Sequence, residues 1–223
     1  MNARTPRSQV KAAITDGGVV GIVRTTSAEH AIALTREIWA AGIDVVEVAL
    51  TTPGGLAAIE TLAAETRNGE PGGGPPGGRI IGAGTVLDAS TARLAVLAGA
   101  ELLVTPTLME EVIQVGHRYG VVTVVGCATP TEMLRATTLG ADLVKVFPAN
   151  LWTPALLADV LAALPQLECL PTGGVSPDTA ADWIRAGAVA VGIGSALTKA
   201  ADPAAGVRAL LDAIRDARTT PVD

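Results

Sequence analysis

The chain has 223 residues, 49% hydrophobic and 17% charged, enough to bury the core of one larger globular domain. A formal net charge of -6 and only five aromatic residues exclude the basic surface and stacking platforms that a nucleic-acid partner requires. No apolar run approaches the ~20 residues that span a bilayer, and the first residues lack the apolar stretch of a signal peptide, so no membrane partner and a cytoplasmic location are expected.

Short Val/Ile/Leu runs alternate with alanine-rich amphipathic stretches. Pro6–Thr15 reads as a short helix within an N-terminal extension, 1–18. Val19–Arg24 is the first expected strand, followed by a helix that Ser27 caps and Gly42 ends. Asp44–Leu50 and a helix over Gly55–Arg67 form the second unit; Ile80–Thr85 and a helix opening near Asp88 form the third. Leu102–Pro106 with Met109–Tyr119, Val121–Gly126 with Pro130–Leu139, and Leu143–Phe147 with Pro154–Leu164 supply the next three. Glu168–Thr172 with Pro177–Ala186, then Ala190–Gly194 with Pro203–Ala217, complete eight βα units. Near-continuous apolar strands in that number predict a (β/α)₈ TIM barrel over 19–217 with a short tail, 218–223. The alternative, an open doubly wound sheet, calls for a GxGxxG turn after the first strand, where this chain has Arg24-Thr25-Thr26-Ser27. Asn68–Gly78 (NGEPGGGPPGG) reads as a flexible insert on the N-terminal face of the barrel.

Cys127 and Cys169 stand far apart without a CxxC, and His30 and His117 lie in helical segments with no ligand spacing. No metal and no organic cofactor are expected.

Active sites of such barrels collect at the C-terminal strand ends. Lys145, one of three lysines, sits in Leu143-Val144-Lys145-Val146-Phe147. An amine among valines and a phenylalanine loses hydration, which lowers its pKa and suits it to Schiff-base formation with a ketone. The plainer alternative is a strand-edge lysine that extends its head into water. Glu47 lies between valines in the second strand; alternation makes it share a face with Val45 and Ala49, with Val46 and Val48 turned to the helices. Two buried charges of opposite sign are costly unless paired or used, and a structural ion pair with Arg24 or Lys145 is the alternative for Glu47. Thr172-Gly173-Gly174 and Gly192-Ile193-Gly194-Ser195 follow the last two strands, where glycines let backbone amides approach an anion.

At these residues the sequence resembles the class I 2-keto-3-deoxy-6-phosphogluconate aldolases, which often also act on 4-hydroxy-2-oxoglutarate. The similarity runs from about Val19 to Lys199. Its carriers are Gly21-Ile22-Val23-Arg24, Val46-Glu47-Val48, Ile81-Gly82-Ala83-Gly84-Thr85-Val86, Val104-Thr105-Pro106, Val144-Lys145-Val146-Phe147-Pro148-Ala149, Pro171-Thr172-Gly173-Gly174-Val175 and Val191-Gly192-Ile193-Gly194-Ser195. The resemblance implies a homotrimeric barrel acting on a phosphorylated keto acid. Lys145 would form the Schiff base and Glu47 shuttle protons. Arg24 and Thr85 would hold the substrate carboxylate, and Gly173, Gly174, Gly194 and Ser195 its phosphate. Thr172 would face the C4 hydroxyl, and Pro106 and Phe147 would line the pocket. Leu50-Thr51-Thr52-Pro53 stands where some members carry an arginine, which moves carboxylate recognition onto Arg24 and Thr85, and Val125 stands where many carry proline. Gly126-Cys127-Ala128-Thr129 looks like the 6-phosphogalactonate branch, whereas that branch looks apolar where this chain has Thr172. Rival readings are a sugar-phosphate isomerase or epimerase, which would not need Lys145, and a non-catalytic phosphate-binding or assembly barrel.

Overall fold

A computed structural model describes residues 5–68, 78–194 and 203–219. Eight parallel strands, β1 (Val19–Val23), β2 (Val45–Ala49), β3 (Ile80–Gly84), β4 (Leu102–Val104), β5 (Val122–Cys127), β6 (Leu143–Val146), β7 (Cys169–Pro171) and β8 (Val191–Ile193), pair in the order β7-β6-β5-β4-β3-β2-β1-β8. A parallel bridge, Thr172 to Gly192, joins the two ends of that order and closes the barrel. The helices are α1 (Arg7–Gly17), α2 (Ala28–Ala41), α3 (Gly55–Asn68), α4 (Ala89–Ala98), α5 (Glu110–Tyr119), α6 (Pro130–Thr138), α7 (Pro154–Ala163), α8 (Pro177–Arg185) and α9 (Pro203–Thr219), with a 3₁₀ turn at Ala149–Leu151 after β6.

The helix starts follow from local chemistry. Ser27, Asp88 and Thr153 accept hydrogen bonds from the amides of His30, Thr91 and Leu156, and Thr129 forms a capping box with Glu132. Proline opens α6, α7 and α8, where its missing N–H costs nothing. The (β/α)₈ expectation holds, with every strand but β5 ending a residue or two before the expected end and β5 running one residue past it, to Cys127. Asn68 belongs to α3 rather than to the insert, residues 69–77 lie outside the described part, and α9 continues two residues past the expected end.

Strand alternation divides the core in two. Val46, Val48, Ile81, Leu103, Val125, Val144, Val146 and Val191 face outward into the helix layer. Val20, Val45, Ile80, Leu102, Val122, Val124, Leu143 and Leu170 fill the interior. Helix α1, where the sequence predicts a short helix, plugs the N-terminal end with Val10 and Ile14. It is fastened there by ion pairs from Arg7 to Asp142 and from Lys11 to Glu168, while Arg218 of α9 donates to the carbonyls of Thr15 and Asp16 at its C-terminal end. With the floor packed by aliphatic side chains, the same alternation puts Glu47 one pleat above Val45 and Lys145 one pleat above Leu143. Both charged groups are thereby delivered to the C-terminal mouth.

Candidate active site

The mouth encloses a cavity of about 410 Å³, the size of a small-ligand site. Arg24, Glu47, Thr85, Pro106, Lys145, Phe147, Thr172, Gly173, Gly174 and Gly194 all line it. Seven of the eight strand ends, all but that of β5, thus converge on one space. Of the site residues expected from the sequence, Ser195 lies outside the described residues. Ile22, Val175 and Gly192 line the cavity as well. Ile22 and Gly192 could have been found by extending the inward period of β1 and β8.

Lys145 Nζ lies 3.7 Å from Glu47 Oε1, and the residues are only 7% and 2% exposed. The Lys145 ammonium also stands 5.1 Å from the Phe147 ring centroid, within cation–π range. Glu47 Oε2 is buried with no hydrogen-bond partner among the described residues. Burial pushes the Glu47 carboxyl up from its ordinary range, and the charges of Lys145 and then Arg24 act in the opposite direction. Of the two ion-pair partners open to Glu47 from sequence, Lys145 is the one in contact, while Arg24 is exposed at the cavity rim.

Thr85 has φ 60, a left-handed conformation that is costly for a β-branched residue. It follows directly on Gly84, at the point where the chain leaves β3 for the cavity wall. Gly173 and Gly174 have φ 87 and 92, and a Cβ on Gly174 would fall 2.8 Å from Asn150 Cβ. Only glycine permits this turn to fold back over the end of β6, where Asn150 N–H donates to the Gly173 carbonyl. Thr172 is buried, and its hydroxyl donates to the Leu170 carbonyl at 3.4 Å, a long bond that a substrate oxygen could replace.

Two supporting threonines escaped the sequence reading. Thr105 Oγ1 donates to the Thr107 carbonyl at 2.6 Å and accepts from Gly126 N–H at 3.1 Å, locking the Pro106 turn onto β5. A Cβ on Gly126 would meet the Pro106 carbonyl carbon at 2.2 Å, so the turn needs the glycine. Thr52, in the segment that lacks the arginine, is buried and accepts from Thr25 N–H at 3.2 Å, anchoring the loop that carries Arg24. Cys127 and Cys169 are buried free thiols pushed up to about 12 by desolvation, which makes them unreactive.

The model of the family described as KDPG and KHG aldolase matches residues 10–206, which include every strand of the barrel. The chain belongs to this aldolase family. It is a carbon–carbon lyase by that membership. It is 33% identical over 183 residues to the 2-dehydro-3-deoxy-6-phosphogalactonate aldolase of Escherichia coli (strain K12), covering 82% of this chain and 85% of the relative. A solved structure described as native KDPGal superimposes with a TM-score of 0.80 at 31% identity, over 91% of this chain and 96% of the other. The 2-keto-3-deoxy-6-phosphogluconate aldolase of Zymomonas mobilis ZM4, solved with 3-phosphoglycerate, gives a TM-score of 0.73 at 26% identity over 94% and 95% of the two chains.

Proposed function

We propose that this aldolase is of class I and cleaves 2-dehydro-3-deoxy-6-phosphogluconate reversibly to pyruvate and glyceraldehyde 3-phosphate, with 4-hydroxy-2-oxoglutarate as a second substrate. The observation that carries this reading is the buried contact between Lys145 Nζ and Glu47 Oε1 at 3.7 Å, at the base of a cavity sized for a six-carbon acid. Lys145 adds to the C2 ketone, and the carbinolamine loses water to give a protonated imine that can accept an electron pair. Glu47 takes the proton from the adding amine and returns it to the departing hydroxyl. It then accepts the C4 hydroxyl proton as the C3–C4 bond breaks. Glyceraldehyde 3-phosphate leaves and the bond pair remains as an enamine. Protonation at C3 and hydrolysis of the imine release pyruvate and restore the amine. A carboxyl that burial raises above its ordinary range holds a proton more readily than an exposed one, which suits it to both accepting and returning protons.

Arg24 and Thr85 bind the substrate carboxylate, a guanidinium offering two parallel hydrogen bonds. Gly173, Gly174, Gly194 and Ser195 bind the phosphate through backbone amides at the turns after β7 and β8, and Pro106 and Phe147 form apolar walls. Thr172 selects the C4 configuration. We place the enzyme in the cytoplasm as a homotrimer; no helix of the described residues is long and apolar enough to cross a membrane.

A second reading, the galactonate epimer, is favoured by the similarity to the E. coli galactonate enzyme. Thr172 argues for the gluconate epimer, because a buried hydroxyl built into the wall is best used when it meets the substrate hydroxyl. Pyruvate release from each purified epimer, followed by coupling to lactate dehydrogenase, tests the proposal. A higher kcat/KM is expected for the gluconate compound. A preference for the galactonate compound would transfer the assignment to the second reading, and cleavage of neither would overturn both.

A further inference from the structure

The inward face of β3 carries almost no side chain near the mouth. Alternation turns Ile80, Gly82 and Gly84 to the interior, and the last two are bare backbone. A Cβ on Gly82 would fall 2.3 Å from Leu102 Cγ and 3.0 Å from its carbonyl oxygen. A Cβ on Gly84 would fall 2.8 Å from Glu47 Cδ, 2.9 Å from Oε1 and 3.1 Å from Oε2. Gly82 therefore accommodates a core leucine, and Gly84 accommodates the carboxylate that faces Lys145.

The strand register gives this contact direction. Glu47 is paired with Gly82, and Ala49 with Gly84. The Glu47 side chain leans one pleat along the neighbouring strand, toward the mouth, and comes to rest over Gly84. Lys145 meets it from β6, and Arg24 stands at the end of β1. Gly84 is not among the residues at positive φ, so the backbone does not demand glycine there. The space over its Cα is what the site uses.

We infer that Gly84 is a positioning residue: its missing side chain is the seat that holds the Glu47 carboxylate within reach of Lys145 and of the bound substrate. The inference rests on the proposed proton-transfer role of Glu47. An added methyl group cannot coexist with the observed carboxylate, which must withdraw by about 0.6 Å to reach ordinary van der Waals separation. The clashing atoms are the free end of one side chain, so the fold can accept Gly84→Ala while the proton-transfer geometry cannot. Displacements on the order of 1 Å at a reacting group cost ~10²-fold, which puts the expected loss at roughly 10- to 100-fold.

Exchange of pyruvate methyl protons with D2O, followed by NMR, reads imine formation and proton transfer without an aldehyde and without a choice of C4 epimer. Gly84→Ala should lower the exchange kcat roughly 10- to 100-fold. The KM for pyruvate, the fraction trapped by borohydride at saturating pyruvate and the melting temperature should stay close to those of the parent. In a Glu47→Gln background, adding Gly84→Ala should cost nothing further, because the group it displaces no longer moves protons. Gly82→Ala is the packing control and should melt lower as Leu102 repacks. An unchanged exchange rate in Gly84→Ala overturns the inference, as does an equal loss in both backgrounds or a collapsed melt. Near-normal exchange by Glu47→Gln alone would instead remove the proton-transfer reading of Glu47.

Discussion

Replacing Lys145 by methionine keeps most of the side-chain volume, deletes the charge, and turns the buried pair into a measurable pH dependence. Glu47 is 2% exposed, has one oxygen unpartnered among the described residues, and has its charged form supported chiefly by Lys145. Without that ammonium, burial acts against the carboxylate with only the Arg24 charge at the rim opposing it. The folded carboxyl then binds its proton more tightly than the unfolded one, whose pKa is about 4.3. A group whose folded pKa is raised in this way causes no loss at pH below the unfolded value. Above it, stability falls by about 1.4 kcal/mol per pH unit until the folded pKa is reached. Breaking a buried pair by removing one partner costs about 3–5 kcal/mol, and at this chain length about 1 kcal/mol corresponds to 2–4 °C in Tm. Lys145→Met should therefore melt near the parent at pH 4.5 and roughly 6–20 °C below it at pH 8. Thermal melts at fixed protein concentration across that range measure the difference. In Lys145→Met/Glu47→Gln the extra pH dependence should vanish. A Lys145→Met curve parallel to the parent from pH 4.5 to 8 would refute the claim that Glu47 depends on the lysine charge.

Glu47→Gln should slow aldol cleavage by about 10²–10⁴-fold while borohydride trapping with pyruvate survives at least in part, since the amine remains; steady-state and trapping assays on one preparation check both. A Cβ on Gly194 would stand at an ordinary 3.4 Å from Ile22, so Gly194→Val changes the cavity rather than the fold. It should raise KM for the phosphorylated substrate far more than for 4-hydroxy-2-oxoglutarate, and equal effects on both would remove these glycines from phosphate binding. Thr172→Val should narrow or reverse the preference between the C4 epimers with pyruvate imine formation intact, as parallel kcat/KM values for the two epimers will show.

The barrel was legible because its signals are local. Apolar runs mark the strands, caps such as Ser27, Asp88 and the Thr129–Glu132 box mark the helix starts, and a period of two assigns Val46 and Val48 to one side and Glu47 to the other. Lys145 was legible for a related reason, as a lone cation in a buried strand. Strand ends were less so: Arg24, Thr85 and Phe147 continue the chain past the last paired residue, where the ladder stops at the mouth and the apolar pattern does not. The functions of Thr52, Thr105, Gly84 and Gly126 lie in contacts with residues distant in sequence. A threonine that binds a loop amide and a glycine that leaves room for a carboxylate have no signature in their own neighbourhood. The insert has no apolar residue to give it a place in the core, and sequence says only that it follows α3.

The central claim is that Lys145 carries the substrate covalently. Reduction with borohydride in the presence of pyruvate, followed by peptide mass spectrometry, tests it most directly. The account predicts a single reduced pyruvate adduct on Lys145 that disappears in Lys145→Met. An adduct on Lys11 or Lys199, or no adduct in a preparation that cleaves substrate, would contradict it.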